Sequence, residues 1–258
     1  MAGRRAIPEP YGKRYPEEAI TLRGNWMVTS DWHVPYHDPE LIELMVATAN
    51  RFHVENLAIV GDFFDLKWLS HFDIKDLEGS LRDDLAIGIQ MLNELLHDFK
   101  RVFWSMGNHE YRIFRALKWM LNLPDLAAML VDNKRLVATQ LTHAVLKSGG
   151  REYRLTHPKS YSRKAADVAV QLAEKFHCNV LSAHGHLMGT RISVSGEYVG
   201  ADLGGMFDME RQEYLYLEGD TTHPVWNSGF VMVRDGYLYA FPKTKTDWEF
   251  WLNEEKVA

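Results

Sequence analysis

The sequence predicts an α/β protein in which two β-sheets are faced by helices. Three observations carry this reading. Short apolar runs alternate with amphipathic helical patterns through the first half, as β-α-β units require. The second half breaks instead into short strands at Gly149-Gly150, Ser195-Gly196, Gly204-Gly205 and Asp235-Gly236. Finally, apolar runs end repeatedly at Asp, Asn or His, where a parallel sheet opens onto loops and α/β proteins hold their chemistry. No internal repeat or low-complexity linker divides the chain, so one domain is expected to contain both sheets.

Residues 1–23 are rich in proline and charge and read as a loose arm, with Arg4, Arg5, Lys13 and Arg14 as possible phosphate contacts. The domain proper is expected over 24–242, with a tail at 243–258. Residues 25–30 form the first strand and deliver Asp31 and His33, which stand two apart and project to one side of an extended chain. Asp38-Pro39 supplies an N-cap and a proline at the first helical position. That helix runs to about residue 52, with Leu41, Leu44, Met45, Thr48 and Ala49 inward. Residues 57–60 make the second strand, which ends at Gly61-Asp62-Phe63-Phe64-Asp65.

Residues 67–79 are aromatic and charged and are placed to overhang that turn. A second helix spans 81–99, with Leu85, Ile89, Leu92 and Leu96 as its core face. Residues 101–106 form the third strand. Gly107-Asn108-His109-Glu110 turns into a helix over 111–121, and a short helix follows at 125–131. Residues 135–146 and 153–156 read as strands around Gly149-Gly150. A helix at 162–176 and a strand at 179–183 lead into His184-Gly185-His186.

The totals bound the function. A 258-residue chain with 46% hydrophobic and 25% charged residues is ordinary for a globular protein. A net charge of −6 argues against wholesale nonspecific binding of nucleic acid, though it allows a local basic groove. The single cysteine, Cys178, precludes an intrachain disulfide and fits a reducing, cytoplasmic compartment. The N-terminal residues carry no apolar core of a signal peptide, and no run approaches about 18 apolar residues, so no membrane association is expected.

Asp31, His33, Asp62, Asn108, His157, His184 and His186 all stand at or just past apolar runs. They supply a mixed oxygen and nitrogen donor set suited to two divalent metals. Only a carboxylate can bridge two nearby cations without strong repulsion, and Asp62 is the central one.

Asp-x-His, Gly-Asp-x-x-Asp, Gly-Asn-His-Glu, a lone His and His-x-His, in this order, resemble the motifs of the calcineurin-like metallophosphoesterase superfamily. The motifs span Asp31 to His186. The resemblance implies a four-layered α/β/β/α sandwich with two mixed sheets and two metals at one end. It implies Asp31, His33 and His186 as ligands of the first metal, Asp62 as the bridge, and Asn108, His157 and His184 as ligands of the second. His109 is similar to the non-ligand histidine that protonates the leaving group, and Asp65 to the carboxylate that orients it and raises its pKa. Hydrolysis would proceed by attack of a hydroxide shared between the metals on phosphorus.

Three departures qualify the likeness. Ala183 precedes His184 where the family usually has Gly. Leu66-Lys67 stands where the protein phosphatases of the superfamily have Arg-Gly, which disfavours protein-phosphatase activity. Thr156-His157-Pro158-Lys159 lacks the Gly that often follows the lone His, so His143 remains an alternative to His157.

Candidate substrate contacts are Arg112, with Arg115 and Lys118 at near-helical spacing, and Trp68, His71 and Phe72 beside the acidic turn. His223-Pro224 could approach the pocket from the late hairpins. Tyr237, Tyr239, Trp248 and Trp251 either cover the second sheet or form an oligomer contact. The expected function is dinuclear metal-dependent phosphodiester hydrolysis, on nucleotides or nucleic acid. The metals are expected to be Mn²⁺ first, with Fe, Zn²⁺, Ni²⁺ or Co²⁺ as alternatives. The alternatives in function are a small-molecule phosphomonoesterase and a non-catalytic scaffold of the same fold.

Overall fold

The structure, a computed structural model, describes residues 19–70, 78–212 and 226–253. Among the described residues, twelve strands form two six-stranded mixed sheets. The first contains β2 (Trp26–Thr29), β3 (Asn56–Val60), β4 (Arg101–Ser105), β5 (Leu136–Thr139), β11 (Gly229–Arg234) and β12 (Tyr237–Pro242), in the order β12-β11-β2-β3-β4-β5. The second contains β1 (Thr21–Arg23), β6 (His143–Ser148), β7 (Arg151–Thr156), β8 (Asn179–Ser182), β9 (Met188–Ile192) and β10 (Val199–Leu203), in the order β1-β6-β7-β8-β10-β9.

Strand alternation explains why the sheets stack. Successive side chains point to opposite faces, so a strand buried on both sides is apolar throughout. In β3, Leu57 and Ile59 face the helices, while Ala58 and Val60 face the other sheet. Phe230 and Met232 of β11 alternate in the same way with Val231 and Val233. Between the sheets these residues meet Leu146, Leu155, Leu181 and Ala201 of the second sheet.

On the outer face of the first sheet lie α1 (Pro39–Arg51), α2 (Leu81–Asp98), α3 (Glu110–Ala116), α4 (Leu123–Leu130) and α6 (Trp248–Leu252). The outer face of the second is covered by α5 (Asp167–Phe176), whose Ala169 and Ala173 pack with Val180 of β8. The layers are therefore α/β/β/α.

Local chemistry sets the helix ends. Asp38 caps α1 by accepting from the Leu41 N–H at 3.1 Å, and Pro39 opens the helix. Asn122 and Asp125 form a reciprocal capping box that starts α4, which buries Leu123, Leu126 and Ala127. The buried face of α1 uses Ile42 where Leu44 was expected, because Leu44 remains half-buried.

Several boundaries differ from the sequence reading. The strand expected over 135–146 is two strands in different sheets, β5 beside β4 and β6 beside β7. Gln140-Leu141-Thr142 carries the crossing without a Gly or Pro to mark it, so the apolar pattern reads straight through. The helix expected over 111–121 stops at Ala116, since Lys118 and Trp119 adopt φ of 50° and 61°. The helix expected from 162 starts at Asp167, and residues 162–166 are an anchored loop. Thr21–Arg23, inside the stretch read as arm, pairs in parallel with β6. In the stretch read as tail, Trp248 stacks on Phe241, and Trp251 meets Phe52, Tyr239 and Phe241. These tryptophans cover the sheet. Tyr237 is exposed under the Arg151 guanidinium.

Candidate metal centre

The candidate ligands gather where both sheets open. Asp31 and His33 follow β2, Asp62 follows β3, and Asn108 follows β4; His157 follows β7, and His184 and His186 follow β8. Among the described residues, three groups of potential donor atoms result, each within 4.8 Å: Asp31, His33 and His186; His33, Asp62 and His109; and Asp62, His157 and His184. Asp62 thus has donor neighbours on both sides.

The backbone pays for this convergence in strain. Asp31, His33, Asp62, His184 and His186 all have φ between 48° and 77°. That left-handed region disfavours any residue with a Cβ, and it marks functional sites when the surroundings hold it. Glycine provides the close approaches. A Cβ on Gly61, itself at φ 76°, would lie 2.5 Å from His157 Nδ1, and one on Gly107 would lie 2.2 Å from Asp62 Oδ1.

Partner atoms fix which ring nitrogen each histidine presents. His157 Nδ1 donates to the Val60 carbonyl at 2.9 Å, which leaves Nε2 facing Asn108 Oδ1 at 3.0 Å and Asp62 Oδ2 at 3.3 Å. His33 Nδ1 donates to Asp65 Oδ2 at 3.1 Å and leaves Nε2 3.3 Å from His186 Nε2. Both patterns are those by which neighbouring acceptors orient metal-ligating imidazoles. His186 Nε2 also lies 3.3 Å from Asp31 Oδ1.

The donor set fits a pair of cations. Asp31 Oδ2 accepts from the His184 N–H at 3.1 Å, but buried Asp31 Oδ1 accepts no hydrogen bond and has the His186 ring nitrogen as its polar neighbour. A buried carboxylate oxygen left in this way calls for a cation. Charge gives the same answer. Burial opposes a charged His157, yet Asp62 and Asp31 overcome it and push its pKa up to about 10. Burial likewise opposes ionisation of Asp31, and His186 and His157 nevertheless hold it down at about 2. A pocket that grips a proton this firmly has surplus negative charge, which metal ions would neutralise.

His109 departs from the sequence expectation. Burial lowers its pKa to about 4, against the upward pull of Asp62 and Asp65; His33 and Arg112 add to the lowering. Its ring is therefore neutral near pH 7, where a cation held by Asp65 was expected. The Asp65 carboxylate is 3.7 Å from His109 Nδ1 and binds His33 more closely. The Asp65 backbone carbonyl, 2.7 Å from His109 Nδ1, orients that ring instead. Arg112 closes the arrangement by donating from Nη1 to the same carbonyl at 2.7 Å and from Nη2 to His109 Nε2 at 3.1 Å.

The family model described as calcineurin-like phosphoesterase matches residues 25–228. The chain belongs to the calcineurin-like phosphoesterase family. No curated protein sequence matches it. Among solved structures it is similar to the phosphoesterase YfcE from E. coli, at 16% identity over 83% of this chain and 90% of that one, with a TM-score of 0.44. It is similar to Thermotoga maritima protein TM1076 at 14% identity over 85% and 98% of the two chains, with a TM-score of 0.39. Vps29 from Entamoeba histolytica, in a structure with zinc, gives 12% identity over 84% and 97%, with a TM-score of 0.41.

In this calcineurin-like phosphoesterase, His143 begins β6 and belongs to none of the three donor groups among the described residues, whereas His157 belongs to one. Trp68 lies half-buried in the 3-10 turn Lys67–Leu69, with the Lys67 ammonium 4.9 Å from its ring centre. Arg115 and Lys118 are exposed. His71, Phe72, His223 and Pro224 lie outside the described residues.

Sequence reading missed three contributors. Glu110 is fully buried, and its carboxylate accepts from the backbone N–H groups of Asp62, Phe63, Phe64 and Gly107. It therefore ties the Asp62 turn to the Asn108 turn. Its place in Gly-Asn-His-Glu was the available signal. Phe207 packs edge-on against His33 and His186 at 5.2 and 4.8 Å, and Trp226 packs against His186 at 4.6 Å. Neither had a motif to mark it.

Proposed function

We propose that the protein is a dinuclear metal-dependent phosphodiesterase acting on nucleotides or nucleic acid. The observation that carries this reading is the convergence of all seven candidate donors beside His109 and Arg112. Asp31, His33 and His186 would hold one ion, Asn108, His157 and His184 the other, and Asp62 both. Two divalent cations, Mn²⁺ first and Fe, Zn²⁺, Ni²⁺ or Co²⁺ as alternatives, would supply Lewis acidity toward water and the phosphoryl oxygens.

The remaining chemistry belongs to the chain's own side chains. Arg112 is the fixed positive charge beside the reacting ester and binds a phosphoryl oxygen. His109 exchanges a proton only at Nε2, because its Nδ1 proton is committed to the Asp65 carbonyl. Asp65 acts through its carboxylate on His33 and through its carbonyl on His109. Trp68, in the turn that follows Asp65, is the aromatic side chain available to substrate there, and the lone Cys178 is consistent with action in the cytoplasm.

Arg112 also suits the terminal oxygens of a monoester, which favours a small-molecule phosphomonoesterase as the second reading. Hydrolysis of bis-p-nitrophenyl phosphate beside p-nitrophenyl phosphate, with Mn²⁺, separates the two. Faster diester cleavage that collapses in His109→Ala supports the first reading. Monoester preference supports the second. Bound metal without turnover of either ester would overturn both in favour of a scaffold.

A further inference from the structure

We propose that Tyr161 is a stacking platform for an aromatic substituent of the ester, a nucleobase in a nucleotide substrate. The inference rests on the phosphodiesterase reading and adds a subsite to it. The Tyr161 ring centre lies 6.4 Å from that of His184, with the planes at 73°. His184 in turn shares a donor group with Asp62 and His157. The tyrosine is 73% exposed, so a face of the ring remains open beside the centre. Trp226, on the His186 side, is half-buried against His186 and Phe207.

The loop that carries Tyr161 is built rather than loose. At one end, the His157 N–H donates to the Thr142 carbonyl at 2.8 Å, and the ring is buried. At the other, the N–H of buried Ala166, at φ 59°, donates to Asp202 Oδ2 at 2.6 Å. Between them, Ser162 Oγ donates to Asp167 at 3.0 Å and accepts from the Lys164 N–H at 3.2 Å. Residues 158–165 contain Lys159, Arg163 and Lys164, all exposed, and no acidic residue, in a chain of net charge −6. An exposed aromatic ring beside a ligand histidine, on a pinned basic loop, suits a substrate that has both a flat ring and further phosphates.

The test is equilibrium binding to the Mn²⁺-loaded protein, with thymidine 5′-monophosphate and methyl phosphate as probes. Tyr161→Ala is expected to weaken thymidine monophosphate about tenfold and methyl phosphate less than about twofold, while Tyr161→Phe keeps both. Changing Lys159, Arg163 and Lys164 together to Gln is expected to flatten the salt dependence of binding of a phosphorylated thymidine dinucleotide. Equal weakening of both probes in Tyr161→Ala, no weakening, or no binding of thymidine monophosphate by the wild type overturns the platform. Tyr161-dependent binding in a protein that cleaves no ester supports the platform and removes the phosphodiesterase reading. Ester cleavage with binding indifferent to Tyr161 does the reverse.

Discussion

Arg112 donates to the Nε2 atom of His109, so the ring that faces the candidate metal centre presents a lone pair already engaged by a cation. The opposite nitrogen must carry the proton, because its partner, the Asp65 carbonyl, can only accept. Arg112→Ala removes the fixed charge and releases His109. The expected result is a loss of about 10²-fold in kcat/KM, with Arg112→Lys intermediate because Lys cannot engage the carbonyl and the imidazole in a planar fork. Steady-state kinetics on a diester would check this. A variant within about twofold of wild type would remove Arg112 from the mechanism.

His109 lies in one donor group but is assigned no ion. His109→Ala should therefore retain two metals per chain, measured by elemental analysis after gel filtration, while turnover falls about 10²- to 10⁴-fold. Loss of metal in step with turnover would make it a ligand.

Asp62 has donors on both sides, whereas His186 and His184 each have one. Asp62→Asn is expected to weaken both metal sites in a titration. His186→Ala and His184→Ala should each weaken one and leave the other within about threefold. A single affected site in Asp62→Asn would refute the shared position.

Glu110 uses both carboxylate oxygens on four backbone N–H groups, two to each oxygen. In Glu110→Gln one oxygen becomes an NH₂ that faces donors. A destabilisation of about 1–3 kcal/mol is expected in denaturant unfolding, from the buried N–H groups left unpaired. An unchanged midpoint would mean that the two turns hold without the clamp.

Asp202 supplies a pH dependence of stability. Burial raises its pKa to about 7, and the charges of Asp167 and Asp31 add to the rise, while the Ala166 N–H opposes it. A carboxyl whose folded pKa is raised binds its proton more tightly in the native state. Its stabilising contribution is complete below the unfolded value of about 3.9 and is lost as pH rises through about 7. Asp202→Asn keeps an acceptor for Ala166 and lacks this titration. Its Tm relative to wild type should therefore rise between pH 4 and pH 8, by an amount on the order of a few degrees. A Tm difference that is flat or falling over that range would exclude the titration of Asp202 as the cause.

Much of the fold was legible because burial on two faces leaves a plain trace. Residues 57–60 and 102–104 are apolar at consecutive positions and lie in β3 and β4, in the interior of the first sheet. The cap and proline at Asp38-Pro39 marked α1 for the same local reasons that operate in the structure. What failed was tertiary. Nothing in residues 135–146 says that the chain changes sheets between Thr139 and His143, since the apolar spacing suits either side. Nothing local to Lys118 and Trp119 announces a left-handed pair.

The site divides in the same way. Residue types and their order brought seven donors to one place, because strand ends determine where a loop residue goes. Which acceptor holds which ring depends on distances between loops. The sequence therefore paired the Asp65 carboxylate with His109, whereas its closer partner is His33. Glu110 was hidden inside a motif whose neighbours drew attention, and Phe207 and Tyr161 belong to no motif.

The left-handed candidate donors place the candidate centre and the rest of the molecule in opposition. At Asp31, His33, Asp62, His184 and His186 the polypeptide is bent into a shape that glycine would accept more readily, at a cost on the order of 1–3 kcal/mol for each residue. The two cores and their helices must hold these bends closed. A sandwich selected only for endurance would discard the five side chains and relax. Part of the stability generated far from the opening of the sheets is therefore continually drawn on to keep a small group of donors in place.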